Sequence, residues 1–171
     1  GLNVVPIQLN VGAGEDFKGV VDLVTMKYLT YEGSNGEKII AGDIPADYAD
    51  EAQMARHDML EALSMFNDDL MGMLLEEQEP TVDQIKNVIR EATINRDIVP
   101  LMMGTAFKNK GVQTLLDAVC SYLPSPLDRV NTARDHDNNA AEVPLTSDPD
   151  APLCAMAFKV TDETFGQLTY T

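Results

Sequence analysis

The sequence predicts an α/β fold with an inserted α+β subdomain, followed by the beginning of a β-rich module. A strand pattern at residues 1–12 and a strand, loop and helix pattern at residues 97–127 are typical of a parallel α/β sheet. Between them, residues 13–96 change from strand patterns to helical periodicity, which indicates a separate α+β unit. Residues 128–150 predict a linker, because they are polar and acidic. Residues 151–171 predict the first strands of another β domain.

The β-rich start of the chain predicts several strands. Residues 4–9 form a β-branched run with a Pro near its beginning, which is typical of one strand. Residues 17–31 mix buried and alternating patterns, and we expect two strands there. Gly33-Ser34-Asn35-Gly36 is a hairpin turn signal, and a short strand at 38–40 follows it.

Three helices are predicted next. Apolar residues at spacings of three and four between Tyr48 and Phe66 predict an amphipathic helix of about five turns. Asn67 is a good N-cap for a second, shorter helix. Thr81 and Gln84 have the spacing of a capping box and predict the start of a third.

Residues 97–103 are a continuous apolar run that ends at Gly104, as expected for a strand buried on both faces. A helix is predicted from Gly111 to Leu123. Its apolar positions, which we expect to face inward, are Val112, Leu115, Leu116, Val119 and Leu123. Loops at the carboxyl ends of parallel strands bind ligands, and the loop 104–110 lies at such a place. Its small residues would let backbone N–H groups approach a ligand, although an ordinary strand-to-helix connection has the same composition.

The charge of the chain narrows the class of partner. With 12 basic and 28 acidic residues the net charge is −16, which argues against sequence-specific nucleic-acid contact. Cys120 and Cys154 are too few and too far apart for a disulfide framework or a metal site, so we expect a reducing cytoplasm and no bound metal. No segment predicts membrane insertion. Residues 43–97 hold 14 acids and 4 bases, which fits either a solvated surface or an electrostatic docking surface for a basic partner.

Four segments carry a resemblance to a known family. Residues 104–128, GTAFKNKGVQTLLDAVCSYLPSPLD, resemble the end of the GTPase domain in the elongation factor G family. Further segments resemble the same family in the same order: VVPIQLNVGAGEDFKGVVDLVTMKYLTY, DIPADY and APLCAMAFKVTDETFGQLT. The resemblance implies a truncated P-loop GTPase-type α/β domain, an inserted G′ subdomain at 13–96 and the beginning of the β-barrel domain at 151–171.

The resemblance also implies site residues. Thr105, Ala106 and Phe107 stand at the guanine-contacting positions, with Lys108 beside them, and Thr105 replaces the usual Ser. GTP or GDP with Mg²⁺ would be the cofactors of the intact protein. The chain contains neither a G-x-x-x-x-G-K-[ST] phosphate loop nor an N-K-x-D motif. We therefore expect these 171 residues alone to have no catalytic residue, no tight nucleotide binding and no GTP hydrolysis.

The implied function is GTP-dependent movement of tRNA and mRNA on the ribosome. In this family the helices of the insert meet the C-terminal domain of the ribosomal stalk protein, and Asp68 and Asp69 fall near the acidic helix of that contact. The alternatives are a non-enzymatic acidic binding module, or a paralogue for ribosome recycling or ribosomal protection. For the isolated chain we also expect either self-association through an exposed sheet edge at 98–103 or a fold of that region that differs from the intact protein.

Overall fold

A computed structural model describes residues 1–164 and 166–171. The chain divides into two compact units, Gly1–Leu123 and Pro124–Thr171, and each is described by itself. The predicted β module at 151–171 includes Phe165, which lies outside the described residues.

The first unit contains two small sheets and four helices. In one sheet, β1 (Val4–Pro6) pairs in parallel with β6 (Val99–Leu101). The other is an antiparallel meander of β2 (Gln8–Val11), β3 (Gly19–Asp22), β4 (Lys27–Glu32) and β5 (Lys38–Gly42). The helices are α1 (Ala46–Ser64), α2 (Asp68–Leu75), α3 (Val82–Asn95) and α4 (Val112–Tyr122).

The first predicted strand is divided between the two sheets. Ile7 is the point of division: its N–H donates to the Leu101 carbonyl at 3.0 Å, and its own carbonyl accepts from the Leu23 N–H at 3.1 Å. The antiparallel sheet therefore begins at Gln8, and not after residue 12 as predicted. A β-branched run shows that a segment is extended, but its sequence does not show which partner each half will bond.

The predicted helix starts are confirmed. The Asn67 side chain accepts from the Leu70 N–H at 2.9 Å, and Thr81 and Gln84 form a reciprocal capping box. The helices and the meander enclose one main core, whose fully buried side chains include Leu23, Met59, Leu63, Ile85 and Ile89. Among the described residues, no helix has both the length and the apolar character needed to cross a membrane.

The layer of β1, β6 and α4 is less buried than its sequence predicts. Val99 and Leu101 in β6 are 42% and 39% exposed, whereas the preceding Ile98 is buried. The exposed fractions lie between 43% and 59% for four of the residues predicted to face inward: Leu115, Leu116 and Val119 on α4, and Leu123 directly after it. The prediction of burial on both faces is wrong here, because among the described residues this sheet has two strands, and α4 packs through Ala118 and Tyr122 instead.

Within its described residues, the second unit contains two antiparallel hairpins. β7 (Asn131–Asp135) pairs with β8 (Ala141–Leu145), within the region predicted as a linker. Composition missed this hairpin because its strands are mostly exposed, and cross-strand contacts such as Thr132 Oγ1 donating to Glu142 Oε1 at 2.6 Å leave no apolar signal. β9 (Lys159–Glu163) pairs with β10 (Gly166–Tyr170), so strands do form within the predicted β module.

Candidate nucleotide-base site and acidic helices

The loop after β6 is a closed turn with its own backbone hydrogen bonds. Thr105 N–H donates to the Lys110 carbonyl at 2.8 Å, and Lys110 N–H donates back to the Thr105 carbonyl at 3.1 Å. Between them, Ala106–Lys108 form a single 3-10 turn. Asn109 ends this turn in the left-handed conformation with φ 50°, which Asn tolerates better than most residues. The predicted contact residues therefore lie together on one compact turn.

Two amides of this turn are free to bind a ligand. Lys108 N–H donates to the Thr105 carbonyl and Asn109 N–H to the Ala106 carbonyl. Within the described part of the chain, no acceptor takes the N–H of Ala106 or Phe107, and the Thr105 side chain does not cap the turn. The first amides of a helical turn lack partners within the turn, and here the two residues that carry them are exposed. They form a small donor site for an acceptor oxygen.

Glycines on either side allow the two ends of the loop to approach closely. A Cβ at Gly104 would lie 2.7 Å from the Lys110 carbonyl oxygen. Gly111 precedes α4 with φ 86°, and a Cβ there would lie 2.8 Å from the Met103 carbonyl oxygen. A side chain at either position would separate the two ends, so the loop conformation depends on both glycines.

The lysines of the loop are bound within the protein. Lys108 Nζ donates to the Glu15 carbonyl at 3.3 Å, and Lys110 Nζ donates to the Phe17 carbonyl at 3.2 Å. Their acceptors lie in the connection between β2 and β3. In the structure these ammonium groups therefore attach the loop to the meander.

Two amide side chains, one in the loop and one in the first turn of α4, bind the turn between β4 and β5. Asn109 Nδ2 donates to the Asn35 carbonyl at 2.8 Å, and Gln113 Nε2 donates to the Gly36 carbonyl at 3.1 Å. A cleft of about 390 Å³ lies between this turn and the loop. The Phe107 side chain lines the cleft and is fully exposed. The turn was predicted from sequence only as a hairpin, because nothing in G-S-N-G signals a partner in the chain 74 residues later.

Gln8 supports the segment between β6 and the loop. Its side chain is only 4% exposed, and Oε1 accepts from the Met103 N–H at 3.0 Å. Burial makes this hydrogen bond costly to lose. Sequence reasoning missed Gln8 because a glutamine within a strand pattern is ordinarily taken for a solvent-facing position.

Two tyrosines near this layer have altered acidity. Burial raises the pKa of Tyr31, whose hydroxyl oxygen would lie 3.6 Å from a Cβ at Gly111. Burial, together with the charge of Asp22, raises the pKa of Tyr122 to about 12. Both hydroxyls therefore stay neutral near pH 7.

The other predicted site residues lie at a helix start. Asp68 and Asp69 occupy the first turn of α2, after the Asn67 cap, and both are exposed. Acidic side chains there favourably offset the positive end of the helix dipole. Among the described residues, no group of His, Cys, Asp or Glu is arranged to hold a metal ion. The pair belongs to an exposed acidic surface and is separate from the loop site in sequence.

Comparison with known proteins gives a consistent result. The chain is 49% identical over 170 residues, 99% of its length, to elongation factor G of Rhodopirellula baltica. It is similar to elongation factor G along nearly its whole length. The mitochondrial elongation factor G-1 of Arabidopsis thaliana is 44% identical over 164 residues, which is 96% of the chain. The chain spans 24% and 22% of the lengths of these two elongation factor G proteins.

Solved structures support the fold. A crystal structure of a protein from Thermus thermophilus matches 97% of the chain with a TM-score of 0.69 and 22% sequence identity, and the match covers 22% of that protein. At this identity the match speaks for the fold alone. No family model matches the chain.

Proposed function

We propose that the chain is a segment of a translation elongation factor that uses GTP to move tRNA and mRNA on the ribosome in the cytoplasm. Near-complete coverage of the chain by elongation factor G, at 49% identity, supports the proposal. The segment contributes recognition and docking. GTP or GDP with Mg²⁺ would be held jointly with regions that supply the phosphate loop.

The architecture fits this assignment. In the proposal, β1, β6 and α4 belong to a P-loop GTPase-type α/β domain, whose remaining strands would cover the exposed face of β6 and α4. The meander and α1 to α3 are then the inserted α+β subdomain, and β9 and β10 open the following β-barrel. Parallel sheets are normally covered on both faces, which supports such a completed sheet.

The observation that carries the nucleotide assignment is the pair of free amides at Ala106 and Phe107. Guanine presents a carbonyl oxygen at its six-position, and adenine presents an amino group there. Two N–H donors therefore favour guanine and disfavour adenine. In the proposal Thr105 closes the loop, Lys108 anchors it to the meander, and the two amides read the base.

A hybrid protein tests the function. These 171 residues replace the matching segment of Rhodopirellula baltica elongation factor G, and ribosome-dependent GTP hydrolysis and tRNA movement are measured. We expect both activities to stay close to those of the parent. A soluble, folded hybrid that binds ribosomes but neither hydrolyses GTP nor moves tRNA would contradict the proposal.

One substitution in the hybrid tests the base contact. Ala106→Pro removes a single donor at the first position of a helical turn, where proline fits without distortion, and Thr105 before it is already extended. We expect GDP affinity to fall about tenfold, the effect of losing one well-placed hydrogen bond. Ala106→Gly is the control, because it keeps the amide. Equal affinities of the two variants would exclude the contact.

The acidic helices supply the second part of the proposal. We assign Asp68 and Asp69 to a surface that docks the C-terminal domain of the ribosomal stalk protein. Asp68→Asn with Asp69→Asn should weaken binding of that domain to the 171-residue chain and reduce its salt dependence. Asp135→Asn with Asp137→Asn, in the second unit, is the charge-matched control. Equal binding by both double variants would remove Asp68 and Asp69 from the interface.

A further inference from the structure

We propose that the turn between β4 and β5, residues 33–36, positions the base-reading loop and so sets how well that loop distinguishes guanine from related bases. The inference rests on the proposed function of the loop. It assigns positioning roles to Asn109 and Gln113, which do not themselves contact the base in this arrangement.

The loop needs external support. Its own backbone bonds close the turn between Thr105 and Lys110, but they do not fix the turn relative to the body of the unit. Side chains make that connection. Asn109 Nδ2 and Gln113 Nε2 both donate to carbonyls of the 33–36 turn, at 2.8 and 3.1 Å.

The turn is also in close backbone contact with the loop. Gly36 adopts φ 63°, and a Cβ there would lie 2.7 Å from the Lys108 carbonyl oxygen and 3.1 Å from that of Asn109. Two backbones can approach this closely only where one of them is glycine. A displacement of the turn therefore displaces Lys108 and Asn109, which directly follow the two free amides.

Base selectivity depends on such displacements. A hydrogen bond weakens steeply when its length or angle departs from the favourable range, so a shift of about 1 Å removes the preference for a strong acceptor. A loop held in place by residues 33–36 discriminates between an oxygen and a weaker acceptor at the same position of the base. A loop released from that turn binds both about equally.

Hydrogen exchange on the 171-residue chain tests the mechanical step without nucleotide. Asn109→Asp and Gln113→Glu each remove a donor with little change in shape, and Asp still tolerates the left-handed conformation of residue 109. We expect the hydrogen-bonded amides of this loop to exchange about fivefold faster in each variant, namely those of Thr105, Lys108, Asn109 and Lys110. Gln53→Glu, exposed on α1, adds the same charge as a control. Unchanged exchange at these four amides in both variants would overturn the inference.

Binding by the hybrid protein tests the consequence for selectivity. GDP is compared with 6-thio-GDP, whose sulfur is a weaker acceptor. We expect Asn109→Asp and Gln113→Glu to weaken GDP binding about five- to tenfold while 6-thio-GDP binding changes less, so that the affinity ratio narrows. A purely structural defect would lower both affinities equally and would overturn the positioning role. If Ala106→Pro leaves GDP binding unchanged, the proposed function fails instead, whatever the exchange experiment shows.

Discussion

The helical body of the first unit and the layer of β1, β6 and α4 bury their apolar side chains to very different extents. Leu63 on α1 and Ile85 on α3 are completely buried, whereas Leu115 and Leu116 on α4 are at least half exposed. All four residues belong to apolar helix faces whose residues recur at spacings of three and four. An apolar helix face therefore indicates that another element is expected to pack against it. The helical body supplies such elements for α1 and α3, whereas the outer face of α4 stays exposed.

The largest expected effect is a difference in the stability lost when one leucine in each region is shortened. Leu63→Ala should lower the free energy of unfolding by about 2–5 kcal/mol, because it leaves a cavity in a closed core. Leu115→Ala makes the same chemical change on α4 and should cost less than about 1 kcal/mol. Urea unfolding followed by circular dichroism measures both. Equal losses would show that the outer face of α4 is packed after all.

A second comparison concerns a buried charge of the body. Arg56 is 8% exposed, and its Nη1 donates to the Leu23 and Val24 carbonyls at 2.6 and 3.0 Å. It also forms an ion pair with Glu79, whose side chain is 74% exposed. Arg56→Met leaves two buried carbonyls without donors and should cost about 2–3 kcal/mol.

Glu79→Gln is the matched variant, because it removes the ion pair with Arg56 and keeps the arginine. The Glu79 carboxylate is mostly in solvent, so loss of its charge should lower the free energy of unfolding by less than about 1 kcal/mol. Urea unfolding of both variants decides between the two contributions. A larger loss for Glu79→Gln than for Arg56→Met would contradict the larger contribution that we assign to the Leu23 and Val24 carbonyl contacts.

The exposed layer itself predicts self-association of the isolated chain. Leu116 and Val119 lie on its outer face, and the net charge of −16 opposes association until salt screens it. Light scattering should show a mass that rises with protein concentration and with salt. Leu116→Asp should abolish the rise, and Leu127→Asp, an exposed leucine of the second unit, should not. A monomer at high concentration and high salt would contradict the prediction.

The smallest expected effect is on the pH dependence of stability. Burial and the charge of Asp22 raise the pKa of Tyr122 to about 12, above the value of about 10 in an unfolded chain. The folded state thus holds this proton more tightly, so the contribution of Tyr122 to stability is constant below about pH 10 and falls between about pH 10 and 12. Tyr122→Phe should make that fall shallower, with Tyr28 and Tyr31 causing the remainder. An unchanged slope would show that Tyr122 ionises as freely folded as unfolded.

Local signals predicted the body of the fold well. The capping box at Thr81 and the cap at Asn67 depend on side chains within three residues, and the structure confirms both. Local signals failed where the decisive contact is distant. Ile7 bonds to both sheets, and the hairpin of β7 and β8 carries too little apolar surface to be seen in composition.

The candidate site shows the same division. A short motif located the loop at Thr105 to Lys108, because its residues are adjacent in sequence. Its anchors, Asn35 and Gly36, lie 74 and 77 residues before the side chains that bond them and contribute only backbone carbonyls, so any residue identity there would supply the acceptor. The glycine at position 36 is the one feature of this contact that is visible in the sequence. Taken alone, it predicts a turn and not a contact with the loop.

Hydrogen exchange of the hybrid protein with and without GDP tests the central claim most directly, that the Ala106 and Phe107 amides bind the guanine base. With saturating GDP, we predict that exchange at these two amides slows about tenfold or more, while Asn109, whose amide is already bonded within the loop, changes little. Bound GDP with unchanged exchange at Ala106 and Phe107 would contradict the claim.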